Sequence, residues 1–128
     1  MFDPSEGEAK VIFDQRTYTC RPGTIKAHME LYQKHGWEPQ TRHLGLPVIW
    51  ATTEVGDVNT YVHIWAYQDV TDRATRRAAM WADPDWLAYT KMSAEAGYLI
   101  KQENRILVAA PFAPLPGGPA DAVADRKV

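Results

Sequence analysis

The segment from Asn59 to Tyr67 alternates without exception. Asn59, Tyr61, His63, Trp65 and Tyr67 share one parity; Thr60, Val62, Ile64 and Ala66 share the other. A strand turns successive side chains to opposite faces, so this one presents an aromatic, polar face and a small, aliphatic face. A strand furnished in this way belongs inside a sheet whose two sides meet different surroundings.

The rest of the chain supplies partners for it. Lys10 to Cys20 alternates in part, with Val11, Phe13, Gln15 and Thr17 on one face and Ile12, Asp14, Arg16 and Tyr18 on the other. Arg21-Pro22-Gly23-Thr24 stops that strand. A helix is predicted from Thr24 to His35, with Ile25, Met29, Tyr32 and either His28 or Leu31 along one stripe, and Gly36 as its stop. Trp37 to Leu44 is expected to hold only a short extra turn broken by Pro39. A strand from Leu46 to Val55, a Gly56-Asp57 turn and the Asn59–Tyr67 strand read as a hairpin. Asp69 to Gly97 is helical but interrupted at Asp83-Pro84, where Asp caps and Pro opens a new helix. Lys101 to Ala109 is the last strand.

The order β-α-β-β-α-β predicts an α+β, ferredoxin-like domain: a four-stranded antiparallel sheet with its helices on one face. Strands one and three should be central. The opposite sheet face, carrying Val62, Ile64 and Ile106, would then need cover. A second copy packed face to face, a homodimer through the sheet, is the simplest solution.

At 128 residues the chain is the size of one domain. Residues 1–9 read as a lead-in, 10–110 as the domain, and 111–128 as a Pro/Gly-rich arm and tail in which Phe112 and Leu115 are possible anchors. A net charge of -2 argues against a nucleic-acid partner. No apolar run reaches the roughly 18 residues of a membrane span. The start Met1-Phe2-Asp3-Pro4-Ser5-Glu6 lacks the features of a signal peptide, so a cytoplasmic location is expected. One cysteine, Cys20, excludes an internal disulfide. Five Trp, six Tyr and three Phe are many for this length and suggest a large core or an aromatic-lined pocket.

Candidate chemistry lies on the two central strands. Asp14, Arg16 and Tyr18 share a face, and antiparallel pairing would bring Arg16 or Tyr18 within about 5 Å of His63. If this face lines a cavity under the helices, His63 is the candidate for proton transfer, Arg16 for anchoring a carboxylate or oxyanion, and Tyr18 for donating a hydrogen bond. Trp50 and Trp65 would sandwich a flat ligand, with Asp14, Tyr61 and Trp86 nearby. The plainer alternative pairs Asp14 with Arg16 and makes His63 a hydrogen-bonded core residue. No carboxylate joins His28, His35 and His43 at a metal-ligand spacing, and no phosphate-binding glycine loop is present, so no cofactor is expected. Arg73, Arg76 and Arg77 fall on one helix face, read as solvated, with an anion or a partner as the alternative.

Phe13-Asp14-Gln15-Arg16-Thr17-Tyr18-Thr19 with Arg21-Pro22-Gly23 resembles the opening of the NIPSNAP family. Val62-His63-Ile64-Trp65-Ala66-Tyr67, Asp72-Arg73 with Arg76-Arg77, and Asp83-Pro84-Asp85-Trp86 resemble its second half. So does Gln102-Glu103-Asn104-Arg105-Ile106-Leu107 followed by Pro111-Phe112-Ala113-Pro114-Leu115. Asp14 stands where the family more often has Glu. The resemblance implies a dimeric α/β barrel, and it marks Asp14, Arg16, Tyr18, His63, Trp65, Arg73, Trp86 and Arg105 as family-like positions, Arg105 as a further ligand contact. The wider barrel group includes cofactor-independent monooxygenases and isomerases, which makes a small aromatic or enolisable metabolite the expected ligand. A non-catalytic protein-interaction domain, with a filled core and an exposed apolar or Arg-rich patch near Arg73 to Arg77, is the alternative. Haem held by His28, His35 or His43 is another.

Overall fold

The computed structural model describes residues 11–113. The proposed lead-in and most of the C-terminal arm, Leu115 included, lie outside the described residues. The elements are β1 (Ile12–Cys20), α1 (Ile25–His35), α2 (Trp37–Leu44), β2 (Ile49–Thr52), β3 (Thr60–Tyr67), α3 (Val70–Trp81), α4 (Pro84–Ala96) and β4 (Leu99–Val108). They form one antiparallel sheet in the order β2-β3-β1-β4, so β1 and β3 are central as expected.

Both helical segments are split in two. Trp37–Leu44 is a full helix rather than a single turn. Pro39 falls in its first turn, where a missing N–H deprives no carbonyl within the helix. Gly36 lets α1 run directly into α2. A Cβ there would stand 2.7 Å from Tyr32 Cδ1 and 3.1 Å from Tyr89 Cδ1, so the junction is as close as side chains allow. The second break is at Asp83-Pro84. Asp83 caps α4 by accepting from Asp85 N, and the same side chain takes Arg42 at 2.6 Å and His43 at 2.8 Å from α2. At the start of α3, Asp69 accepts from Asp72 N while Asp72 accepts from Gln68 N and Arg76.

β2 is shorter than the 46–55 expectation, and residues 53–59 form a longer loop than a two-residue turn. Within that loop Asp57 Oδ1 accepts from Asn59 N, and Thr53 reaches across to Thr60.

The core lies between sheet and helices. Trp65 and Tyr67 of β3 and Ile12 of β1 meet Tyr32, Leu44, Met80, Trp86 and Tyr89, which come from all four helices. The aromatic parity of β3 therefore faces inward. On the other side Phe13 packs with Val11 and Ala66, while Val62 and Ile64 are half-buried and Ile49 is exposed. Ile106 departs from the prediction: it pairs with Asp14 and so sits on the helix side, toward its open edge, 46% exposed.

Candidate functional site

Register brings the polar residues together. Arg16 lies opposite His63, Tyr18 opposite Tyr61, and Asp14 opposite Trp65; Trp50 on β2 faces His63 from the other side. With the helices above, these residues leave a cavity of about 450 Å³. That is within the usual range for small-ligand sites. Arg16, Tyr18, Trp50, Tyr61 and His63 form its floor. Tyr32, Gln40, Arg77, Met80, Trp86 and Tyr89 descend from the helices. Trp81, Ile100 and Lys101, all exposed, belong to the same lining and mark its open side.

Asp14 is the anchor below the floor. It is fully buried, and its Oδ2 accepts from Arg16 at 2.9 Å and Arg73 at 3.1 Å, while Oδ1 accepts from Asn104 at 3.1 Å. Burial alone would raise its pKa, but the Arg16 charge, the Asn104 hydrogen bond and Arg73 outweigh it and hold the carboxyl below its ordinary value. Arg16 also donates from Nε to the Tyr18 hydroxyl at 2.6 Å. The phenol oxygen thus accepts from a cation, and its own proton remains to be given elsewhere.

His63 is 2% exposed. Its Nδ1 lies 2.6 Å from Trp65 Nε1. An indole nitrogen can only donate, so Nδ1 is the acceptor and the ring proton resides on Nε2. Burial and the Arg16 charge lower the His63 pKa to about 3. At neutral pH the ring is an uncharged N–H donor. Nε2 has no partner among the described residues, and neither has Nε1 of Trp86, another lining side chain.

Trp50 is stacked on Tyr32 at 4.9 Å and on Tyr61 at 4.7 Å between ring centroids. Tyr18 meets His63 edge-on at 4.8 Å. Tyr32 is hydrogen-bonded to Gln40. Burial raises the Tyr32 and Tyr61 pKa values, so both phenols stay protonated. Tyr89 is likewise pushed up to about 12 by burial.

The candidate residues thus divide into three groups. Arg16, Tyr18, His63, Trp50, Tyr61 and Trp86 are assembled at one cavity. Asp14 and Trp65 are buried behind it and hold Arg16 and His63; Trp65 is a core residue, not the second wall of a sandwich. Arg105 pairs with Gln15, a parity that places it on the outer sheet face, away from the cavity. Two expectations about α3 also change. Arg73 binds buried Asp14 and Arg77 lines the cavity, so this face is not a solvated arginine patch. Burial and repulsion from Arg16 lower the Arg77 pKa. His28 is bonded to Tyr61 and His43 to Asp83; neither these nor His35 line the cavity. No group of metal-ligating side chains is found among the described residues, and no described helix is long and apolar enough to cross a membrane.

Sheet order and inward-facing aromatic strand define a ferredoxin-like α+β domain with a cavity between sheet and helices. The NIPSNAP family model matches residues 13–114, and the chain belongs to that family. A NIPSNAP family protein from Agrobacterium tumefaciens is similar in structure, with a TM-score of 0.76 and 36% identity over 84% of this chain and 96% of that one. A NIPSNAP-like domain protein from Burkholderia xenovorans has a TM-score of 0.76 and 31% identity over 84% and 91% of the two chains. Human Protein NipSnap homolog 3A is 26% identical over 113 residues, 88% of this chain and 45% of its own length. This chain therefore spans less than half of that relative. A candidate antibiotic biosynthesis monooxygenase from Nitrosomonas europaea shares the fold alone, at 13% identity and a TM-score of 0.57 over 82% and 95% of the two chains.

Proposed function

We propose that the cavity binds a small flat molecule, aromatic or enolisable, and polarises one of its oxygens without a cofactor. The supporting observation is the convergence of Arg16, Tyr18 and His63 on one space lined also by Trp50, Trp86 and Tyr89. In this reading His63 is a donor. Its Nδ1 is occupied by Trp65, and its Nε2 already holds a proton, so it is not a base for the substrate. A carbonyl oxygen held by these groups would gain negative charge, which favours the enol form of the bound molecule.

The interaction-domain alternative calls for a filled interior and an exposed apolar or Arg-rich patch near Arg73 to Arg77. The cavity and the inward commitments of Arg73 and Arg77 weigh for the ligand reading. Native mass spectrometry of freshly purified protein tests it. The expected result is one small molecule retained per chain and lost in a His63→Ala variant of unchanged circular dichroism. Equal retention in that variant would remove His63 from the site. We also assign the outer sheet face, with Phe13, Val62, Ile64 and Ile49, to a second copy of the chain, in line with its apolar character.

A further inference from the structure

The cavity's charged lining is one-sided. Arg16 and Arg77 reach it from the sheet and from α3. Among the described residues no Asp or Glu lines it. Asp14, buried beneath, is already shared between Arg16 and Arg73. Two guanidiniums are thus held by one buried carboxylate, and Arg77 stands outside that pairing. Buried like charges repel. An anion bound between Arg16 and Arg77 relieves that repulsion.

We infer that the ligand of this cavity is a carboxylate or enolate on a flat apolar body, held at its charged end by Arg16 and Arg77. This rests on the ligand reading above and names its chemical class. Arg77 is the residue that sets the preference for charge. It does not share Asp14's carboxylate as Arg16 and Arg73 do, and burial together with Arg16's charge already disfavours its protonated form when no anion is present. Trp50, Trp86 and Tyr89 supply flat apolar surface for the body of the ligand.

Three naphthyl probes of one shape test the inference by titration calorimetry at neutral pH: 2-naphthoate, 2-naphthamide and 2-naphthylmethylamine. The carboxylate is expected to bind at least about tenfold more tightly than the amide, the scale of one charge-assisted hydrogen bond. The amine is expected to bind most weakly. Arg77→Gln, checked for an unchanged melting curve, should erase most of the carboxylate's advantage while leaving the amide's affinity in place. Equal binding of carboxylate and amide, preference for the amine, or an Arg77→Gln variant that keeps the full discrimination would overturn the assignment and leave the ligand reading standing. Failure of all three probes to bind would count against both.

Discussion

Trp65 gives its indole proton to Nδ1 of His63 across 2.6 Å, two positions along the same strand and both deep in the protein. That contact fixes which nitrogen of the imidazole carries the proton. A Trp65→Phe variant keeps an aromatic ring but loses the donor. The freed Nδ1 would be a buried acceptor without a partner, costing about 1–3 kcal/mol, visible in urea unfolding. Nitrogen-15 spectra of the imidazole should show the Nε2-protonated tautomer in the parent protein and a mixture in the variant. An unchanged tautomer would mean that another group sets it.

Acid should weaken the fold well before carboxylates titrate. Burial lowers His63 to about 3 and His28 to about 4, against about 6.5 in an unfolded chain. Below about pH 6.5 the unfolded chain takes up protons that the folded one refuses, so stability is complete above that pH and declines as pH falls. Each histidine contributes a slope of at most about 1.4 kcal/mol per pH unit. Asp14, with its pKa lowered, adds a loss at still lower pH. Urea midpoints measured from about pH 7 to pH 5 should fall, and replacing both histidines by Gln should flatten the curve.

Asp14→Asn would leave Arg16 and Arg73 with no buried counter-charge. Removing one member of a buried ion pair typically costs about 3–5 kcal/mol. The loss should appear as a lower denaturant midpoint with little change in m-value. A variant as stable as the parent would show that the two guanidiniums reach water.

Gly36→Ala tests the helix junction. Alanine favours helix by about 1 kcal/mol over glycine. Its methyl group would press on Tyr32 and Tyr89, at about 1–3 kcal/mol for an overfilled core. The net expectation is a lower melting temperature. A rise would indicate that Tyr32 swings aside without cost.

Ile64→Glu addresses the outer sheet face. The side chain is half-buried in the single chain, so the monomer should tolerate it. If a second copy covers this face, the parent should sediment as a dimer and the variant as a monomer. A parent that is monomeric at high concentration would end that assignment.

The sheet was legible because β3 alternates so cleanly. Once Tyr61, His63 and Trp65 share a face, pairing with Arg16 and Asp14 follows from strand geometry. Asp83-Pro84 likewise announced its helix start by local chemistry. The helix at Trp37–Leu44 was not legible, because Pro39 reads as a breaker unless its place in the first turn is known. Arg77 was missed for a different reason. An arginine on a helix carries no sign of what the helix packs against, and only the fold shows that this face meets a cavity. Arg105 went astray because β4 is polar on both sides, so its sequence does not tell which parity points inward.

Asp83 reads locally as the cap of a single helix, yet it also grips Arg42 and His43 of another. Gln40 lies just before that grip and Trp86 just after it, and both help to roof the hollow. One acidic side chain therefore works as a cross-brace between two otherwise separate legs. The ceiling over any bound molecule owes its shape to a residue that never meets it.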